Sequence, residues 1–172
     1  AKRNKQTPIA ICDSIGSMGG TAPIKFLVNI AEEFGGYVYF DDAHGVSIHG
    51  SHGVGYVLKQ LGYQSHQRVI ISISLGKAFG ITGGAILVPV NEDARFIKKY
   101  APNYIFSGPL PTPIINGIIA SAEIHISSEI HKLQNKLWQN IEYFDSLVNS
   151  AIINANLASP IRGIFVGDEH KA

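Results

Sequence analysis

An α/β fold, with a mostly parallel sheet and helices on both faces, is predicted by three features of the sequence. Short apolar runs rich in β-branched or aromatic residues recur: PIAICD, YVYF, VIISIS and GAILV. Stretches with apolar residues at helical spacing separate the first three. Asp13, Asp41 and Ser74 stand at the carboxyl ends of those three runs, and Lys77 follows shortly after the last. Strands buried on both sides read as continuous apolar runs, and strand–helix–strand alternation pairs them in parallel. In such sheets ligands sit beyond the carboxyl ends of the strands, so the polar residues converge on one edge.

The totals narrow the class. The 172 residues hold 14 Lys+Arg against 13 Asp+Glu, a formal charge of +1, which gives no electrostatic case for nucleic acid. No stretch approaches the roughly 18–20 apolar residues that span a bilayer, and the basic residues Lys2, Arg3 and Lys5 precede no signal-peptide core. The single cysteine, Cys12, excludes an intrachain disulfide and fits a reducing, cytoplasmic setting. Within PIAIC it reads as a buried, inert thiol.

In chain order, Pro8–Asp13 is a short buried strand. SIGSMGGT is a glycine-rich turn, and Pro23 opens a helix that Gly35-Gly36 stops. Tyr37–Phe40 is the second strand. It runs into DDAHG, a loop rich in His and Gly, and a short helical piece around residues 54–61. Val69–Ser74 is the third strand and Gly84–Val88 the fourth, parted by the Lys77 loop. Asn91-Glu92-Asp93 caps a helix that ends in Lys98 and Lys99, matching the helix dipole at both ends. After the rigid SGPLPTP connection, apolar residues from Ile115 to Val148 keep a three-to-four spacing. They predict either one long helix, about 114–150 and on the order of 50 Å, or two helices broken near Ser127-Ser128. Residues 161–166 read as a final strand with nothing after it to pack against.

A cation at the mouth of a buried strand, with glycines on both sides, allows two readings. Lys77 is an ordinary solvated lysine, or it sits in a partly desolvated cleft where its amine forms a Schiff base with a carbonyl. The other strand ends bear on the choice. Asp41 and His44 are three apart in the turn after a strand. A pyridine cofactor needs a carboxylate to keep its ring nitrogen protonated, an imidazole for its phenolic oxygen, a hydroxyl for its phosphate and a lysine for its aldehyde. Asp41, His44, Ser74 and Lys77 supply that set, and pyridoxal 5'-phosphate is the cofactor that uses it.

The runs YFDDAHG, SLGKAFG with Gly83-Gly84 after it, and IFSGPLP resemble the α-oxoamine synthases, a branch of the fold-type-I pyridoxal phosphate enzymes. The similarity covers about residues 11–168. It implies the central part of the aspartate aminotransferase-like large domain over residues 1–150, with a long bridging helix, and the start of a small C-terminal domain over 151–172. It makes Lys77 the internal-aldimine lysine, Asp41 the partner of the pyridine nitrogen, His44 the partner of the ring hydroxyl and Ser74 a phosphate ligand. Ser17 matches a serine near the cofactor. Ser107 matches a hydroxyl that reaches the phosphate from the neighbouring subunit of a homodimer. The implied reaction condenses a small amino acid with an acyl-CoA to an α-amino ketone, and an aminotransferase is the runner-up. Because the family's ring-stacking residue and substrate arginine fall outside these residues, the chain is expected to be an internal fragment, inactive alone.

The chain departs from the family's usual pattern at Gly19, where an acid is common, at Gly108-Pro109, and at Val46-Ser47-Ile48-His49, where the loop usually contains glycine. Two other classes are considered. One is a metal site from Asp41, Asp42, His44, His49 and His52, which leaves Lys77 and its glycines unexplained. The other is a non-catalytic subunit, which would have no use for Lys77. His49 and His52 otherwise read as solvated loop residues. His66, His125, His131 and His170 are assigned no role, and Trp138 reads as helix packing.

Overall fold

A computed structural model describes residues 6–148 and 152–171. Four strands form one sheet in the order β1 (Ile9–Asp13), β2 (Tyr37–Asp41), β3 (Val69–Ser74) and β4 (Gly84–Leu87). β1, β2 and β3 run parallel, while β4 returns antiparallel to β3. The antiparallel return follows from the short Lys77 loop, because a parallel crossover needs a dozen or more residues.

The register sorts side chains by face. Cys12, Phe40 and Ile71 share the inner face, with Val38 beside Val69. Against it pack α1 (Ile24–Glu33), through Ile24, Val28 and Ala31, and α2 (Tyr56–Gln60), through Tyr56 and Val57. Val38, Phe40 and Val57 are fully buried, each stabilising the fold by roughly 1.5–3 kcal/mol. Cys12 packs at the margin of this core, and burial raises its thiol pKa. Pro23 does precede α1, and Gly35 (φ +64) ends it. Gly36 then passes so close to Pro8 that a Cβ there would meet the Pro8 carbonyl.

On the outer face, α3 (Asn91–Tyr100) and α4 (Pro102–Ile105) stand across a groove of about 770 Å³ from Tyr39, Asp41, Ser72 and Ile86. The β1 side of that face is open, with Ile9 and Ile11 exposed. The helices α5 (Thr112–Ile126) and α6 (Glu129–Val148) pack against each other and the 51–53 turn.

One open choice is decided and two expectations need correction. Of the two readings for the segment after Pro113, the pair of helices is the one that forms, in place of a single long bridging helix: the Ser127 hydroxyl donates to the Ile124 carbonyl and accepts the Glu129 N–H, closing one helix and opening the next. The last residues expected in it, 149 and 150, lie outside the described residues. At α3 the cap position is Val90, with no side-chain cap; Asn91 is already helical, while Glu92, Asp93, Lys98 and Lys99 do match the dipole. Residues 161–166 form no strand, only a bridge between Ile152 and Ile164, for want of a neighbouring strand to complete a ladder.

Candidate active site

Because β1, β2 and β3 are parallel, their carboxyl ends deliver Ser14, Asp41–His44 and Ser74–Lys77 to the same edge. The ladder continues past the strands, with the Ser14 N–H on the Asp41 carbonyl and the Asp42 N–H on the Ser72 carbonyl, both at 2.8 Å.

The strand pleat sends the two aspartates opposite ways. Asp41 stays on the outer face, half-buried, where its Oδ1 accepts the Ala43 N–H at 2.9 Å. Asp42 turns inward and is fully buried. It accepts the Ser14 hydroxyl and the Val57 N–H, the latter at 3.2 Å. Gly45 and Gly55 flank it so closely that a Cβ on either would collide with its carboxylate. Burial pushes the Asp42 carboxyl up to about 6, against the opposing pull of its hydrogen bonds from Ser14 and the Val57 and Tyr56 backbone. Asp42 thus pins the turn that carries His44.

His44 is half-buried, and its Nδ1 lies 2.9 Å from the Ile15 carbonyl. A carbonyl only accepts, so the ring hydrogen is on Nδ1 and Nε2 presents its lone pair. Lys77 Nζ donates to that lone pair at 2.7 Å. Lys77 stands at the exposed tip of a loop whose base is clasped twice by Leu75, to the Gly83 carbonyl and from the Ile81 N–H, both 2.9 Å. The Gly80 N–H closes the tip on the Lys77 carbonyl, a turn that needs the positive φ of Gly80. Ser74, on the face of Asp41 and Ser72, accepts the Gly76 N–H at 3.2 Å.

The structure therefore joins Lys77 and His44 directly and holds Asp41 and Ser74 at the adjacent strand ends. Ser17 lies exposed in the turn between Ile15 and Thr21, which bridge to each other. Ser107 lies in an exposed segment after α4, its hydroxyl on the Tyr104 carbonyl at 3.2 Å. Among the described residues, no hydrogen bond joins either serine to the other four. The 770 Å³ groove meets this set only at Asp41.

The metal alternative does not assemble. Asp42 is spent on Ser14 and Val57. His49 is no solvated loop residue: it is buried, with its ring 5.3 Å from that of Trp138 and 5.4 Å from that of Tyr56. Among the described residues no group of three or more His, Cys, Asp or Glu side chains is placed to hold a metal ion. His125, given no role above, is also buried, and it accepts the Ser47 hydroxyl. Neither burial was signalled by a local pattern, since His49 is covered by Trp138 of α6 and His125 by Ser47 and Phe79, all far away in the sequence.

An inward carboxylate that braces a turn, an imidazole of fixed tautomer and a lysine against it define a strand-end site built around one amine. The chain belongs to the aminotransferase class I and II family, whose model matches residues 1–171. Within it, the likeness is to the α-oxoamine synthases. An 8-amino-7-oxononanoate synthase of Coprothermobacter proteolyticus is 32% identical over 98% of this chain and 42% of its own length. A mitochondrial 5-aminolevulinate synthase of Candida albicans is 35% identical over 70% of this chain and 24% of its own. Among solved structures, a serine palmitoyltransferase from S. paucimobilis, with a bound PLP–myriocin aldimine, superposes with a TM-score of 0.82 at 18% identity over 96% of this chain and 43% of that one. The fold is thus that of the fold-type-I pyridoxal phosphate transferase large domain. The chain spans less than half the length of these curated relatives.

Proposed function

We propose that the protein of which this chain is part is a pyridoxal phosphate-dependent C-acyltransferase. It would condense a small amino acid with an acyl-CoA to an α-amino ketone, in a homodimer with the site at the subunit interface. The observation that carries the reading is the amine of Lys77 set 2.7 Å from His44 Nε2 at the strand edge that also carries Asp41 and Ser74. Their donor chemistry fits the cofactor: an amine for its aldehyde carbon, a carboxylate for its ring nitrogen, an imidazole for its phenolic oxygen and a hydroxyl for its phosphate. Once bound, pyridoxal phosphate supplies an electron sink for negative charge at the amino acid's α-carbon.

The residues of this chain do the rest. Lys77 would hold the cofactor's aldehyde carbon through Nζ, and the same atom, when free, would serve as a base. Asp41 keeps a proton on the ring nitrogen. His44, oriented by the Ile15 carbonyl, addresses the phenolic oxygen through Nε2. Ser74, with Ser17 and with Ser107 from the neighbouring subunit, holds the phosphate. The 8-amino-7-oxononanoate and 5-aminolevulinate synthase relatives support acyl transfer. An aminotransferase is the second reading, supported by the description of the matching family. Free CoA released during turnover with an acyl-CoA separates the two.

The test uses the longest natural version of the protein, loaded with pyridoxal phosphate, reduced with borohydride and mapped by peptide mass spectrometry. The cofactor mass is expected on Lys77 and to be lost from that site in Lys77→Ala. A folded protein that carries no label on Lys77 overturns the reading.

A further inference from the structure

Away from the strand ends, three parts of the chain meet on one imidazole. His125 lies near the end of α5, and its Nδ1–H donates to the Ser121 carbonyl, one turn earlier, at 2.7 Å. Nε2 is therefore an acceptor, and the Ser47 hydroxyl donates to it at 2.8 Å. The His125 ring stacks on Phe79, with centroids 4.6 Å apart. The Ser121 hydroxyl donates to the Phe79 carbonyl at 2.6 Å. Ser47 is three residues from His44, and Phe79 is two residues from Lys77. Among the described residues, no backbone hydrogen bond ties residues 43–55 to residues 75–83. Besides the Lys77–His44 contact itself, the two loops are joined through His125 and Ser121 of α5.

A buried serine on an imidazole suggests two functions, nucleophile or clamp. A nucleophile needs free N–H groups nearby to hold an oxyanion. Here the Ser47 N–H goes to the Gly53 carbonyl and the Ile48 N–H to the Gly45 carbonyl. Ser47 also holds φ +69, a conformation that suits glycine and is uncommon for serine. Its side-chain bond to His125 supports that conformation, and the Gln134 amide holds its carbonyl at 3.0 Å.

We propose that Ser47 and His125 are positioning residues, a latch that keeps the His44 loop and the Lys77 loop in register so that Lys77 Nζ meets His44 Nε2. The proposal rests on Lys77 being the reactive amine of the site. Its test needs no cofactor. In the longest natural version of the protein, free of pyridoxal phosphate, trace labelling with acetic anhydride reports the reactivity of Lys77, and Lys25 on α1 serves as internal control. Ser47→Gly removes the hydroxyl while relieving the backbone, and His125→Phe keeps a ring against Phe79.

Each single variant is expected to speed Lys77 labelling by about three- to tenfold, because Nζ is no longer held on His44. The double variant is expected to go no further than the larger single, as for residues that act through one contact. Lys77 rates unchanged in folded single variants overturn the latch, as do effects that multiply in the double. Where His125→Phe does not fold, Ser47→Gly alone decides. Failure of borohydride trapping would remove the cofactor reading and leave the labelling result standing, so the two failures are distinguishable.

Discussion

Asp42 and His49 are buried ionisable groups whose environments act in opposite senses. Burial lifts Asp42 from 3.8 to about 6. Burial first, and then the charge of Lys59, lowers His49 from 6.5 to about 4, against a bond to the Ala158 backbone. A carboxyl raised on folding favours the native state most below pH 3.8, and that contribution is lost as pH rises through about 6. For Asp42 it is on the order of 3 kcal/mol. An imidazole depressed on folding contributes above pH 6.5 and loses that contribution as pH falls through about 4. The two offset each other between pH 4 and 6. Urea unfolding across this window is therefore expected to show His49→Leu gaining stability on acidification and Asp42→Asn losing it. Parallel pH profiles for the two variants would contradict the assignment. The placement of Lys77, His44 and Asp41 at one edge was legible because each ends a strand or follows one within a few residues. Ser47 with His125, 78 positions apart, was not, because no local pattern marks a long-range contact.

Among elements, the glycine-rich turn after β1 shows what the chain order hides. Asn154 is buried and uses its whole amide: Nδ2 donates to the Met18 and Ile161 carbonyls at 3.0 and 2.8 Å, and Oδ1 accepts the Gly163 N–H at 2.8 Å. It packs so closely on Gly19 that a Cβ there would collide with it. Nearby, Arg162 forks onto Asp145 of α6 at 2.7 and 2.8 Å, which holds the Asp145 carboxyl below its ordinary range. Asn154→Ala strands three backbone groups, and a loss on the order of 3 kcal/mol is expected in chemical denaturation, with faster proteolysis at residues 16–20. A change below about 0.5 kcal/mol would show that water replaces the amide. The apolar spacing through α5 and α6 was readable as helix. Choosing between one helix and two depended on Ser127, whose hydroxyl serves the Ile124 carbonyl on one side and the Glu129 N–H on the other.

At the scale of the whole chain, the sheet is covered unequally. Its inner face carries the core, while Ile9 and Ile11 are 60% and 74% exposed on the outer face and Ile86 is 52% exposed. Exposed apolar area of this kind promotes association. The isolated 172-residue chain is expected to bind an apolar dye such as ANS and to self-associate in sedimentation, and a dye-silent monomer would refute this. Sequence alone determined the α/β class, the four strands and the sheet edge at which Lys77, His44 and Asp41 come to lie. Those rest on local periodicity and on residues that follow strands directly. Only the tertiary structure decided that Asp42 faces inward as a brace, that His44 is fixed as the Nδ1–H tautomer, that His49 and His125 are buried, and that residues 161–166 make no strand. Each of these depends on which distant backbone group or helix arrives opposite, and that is set by packing.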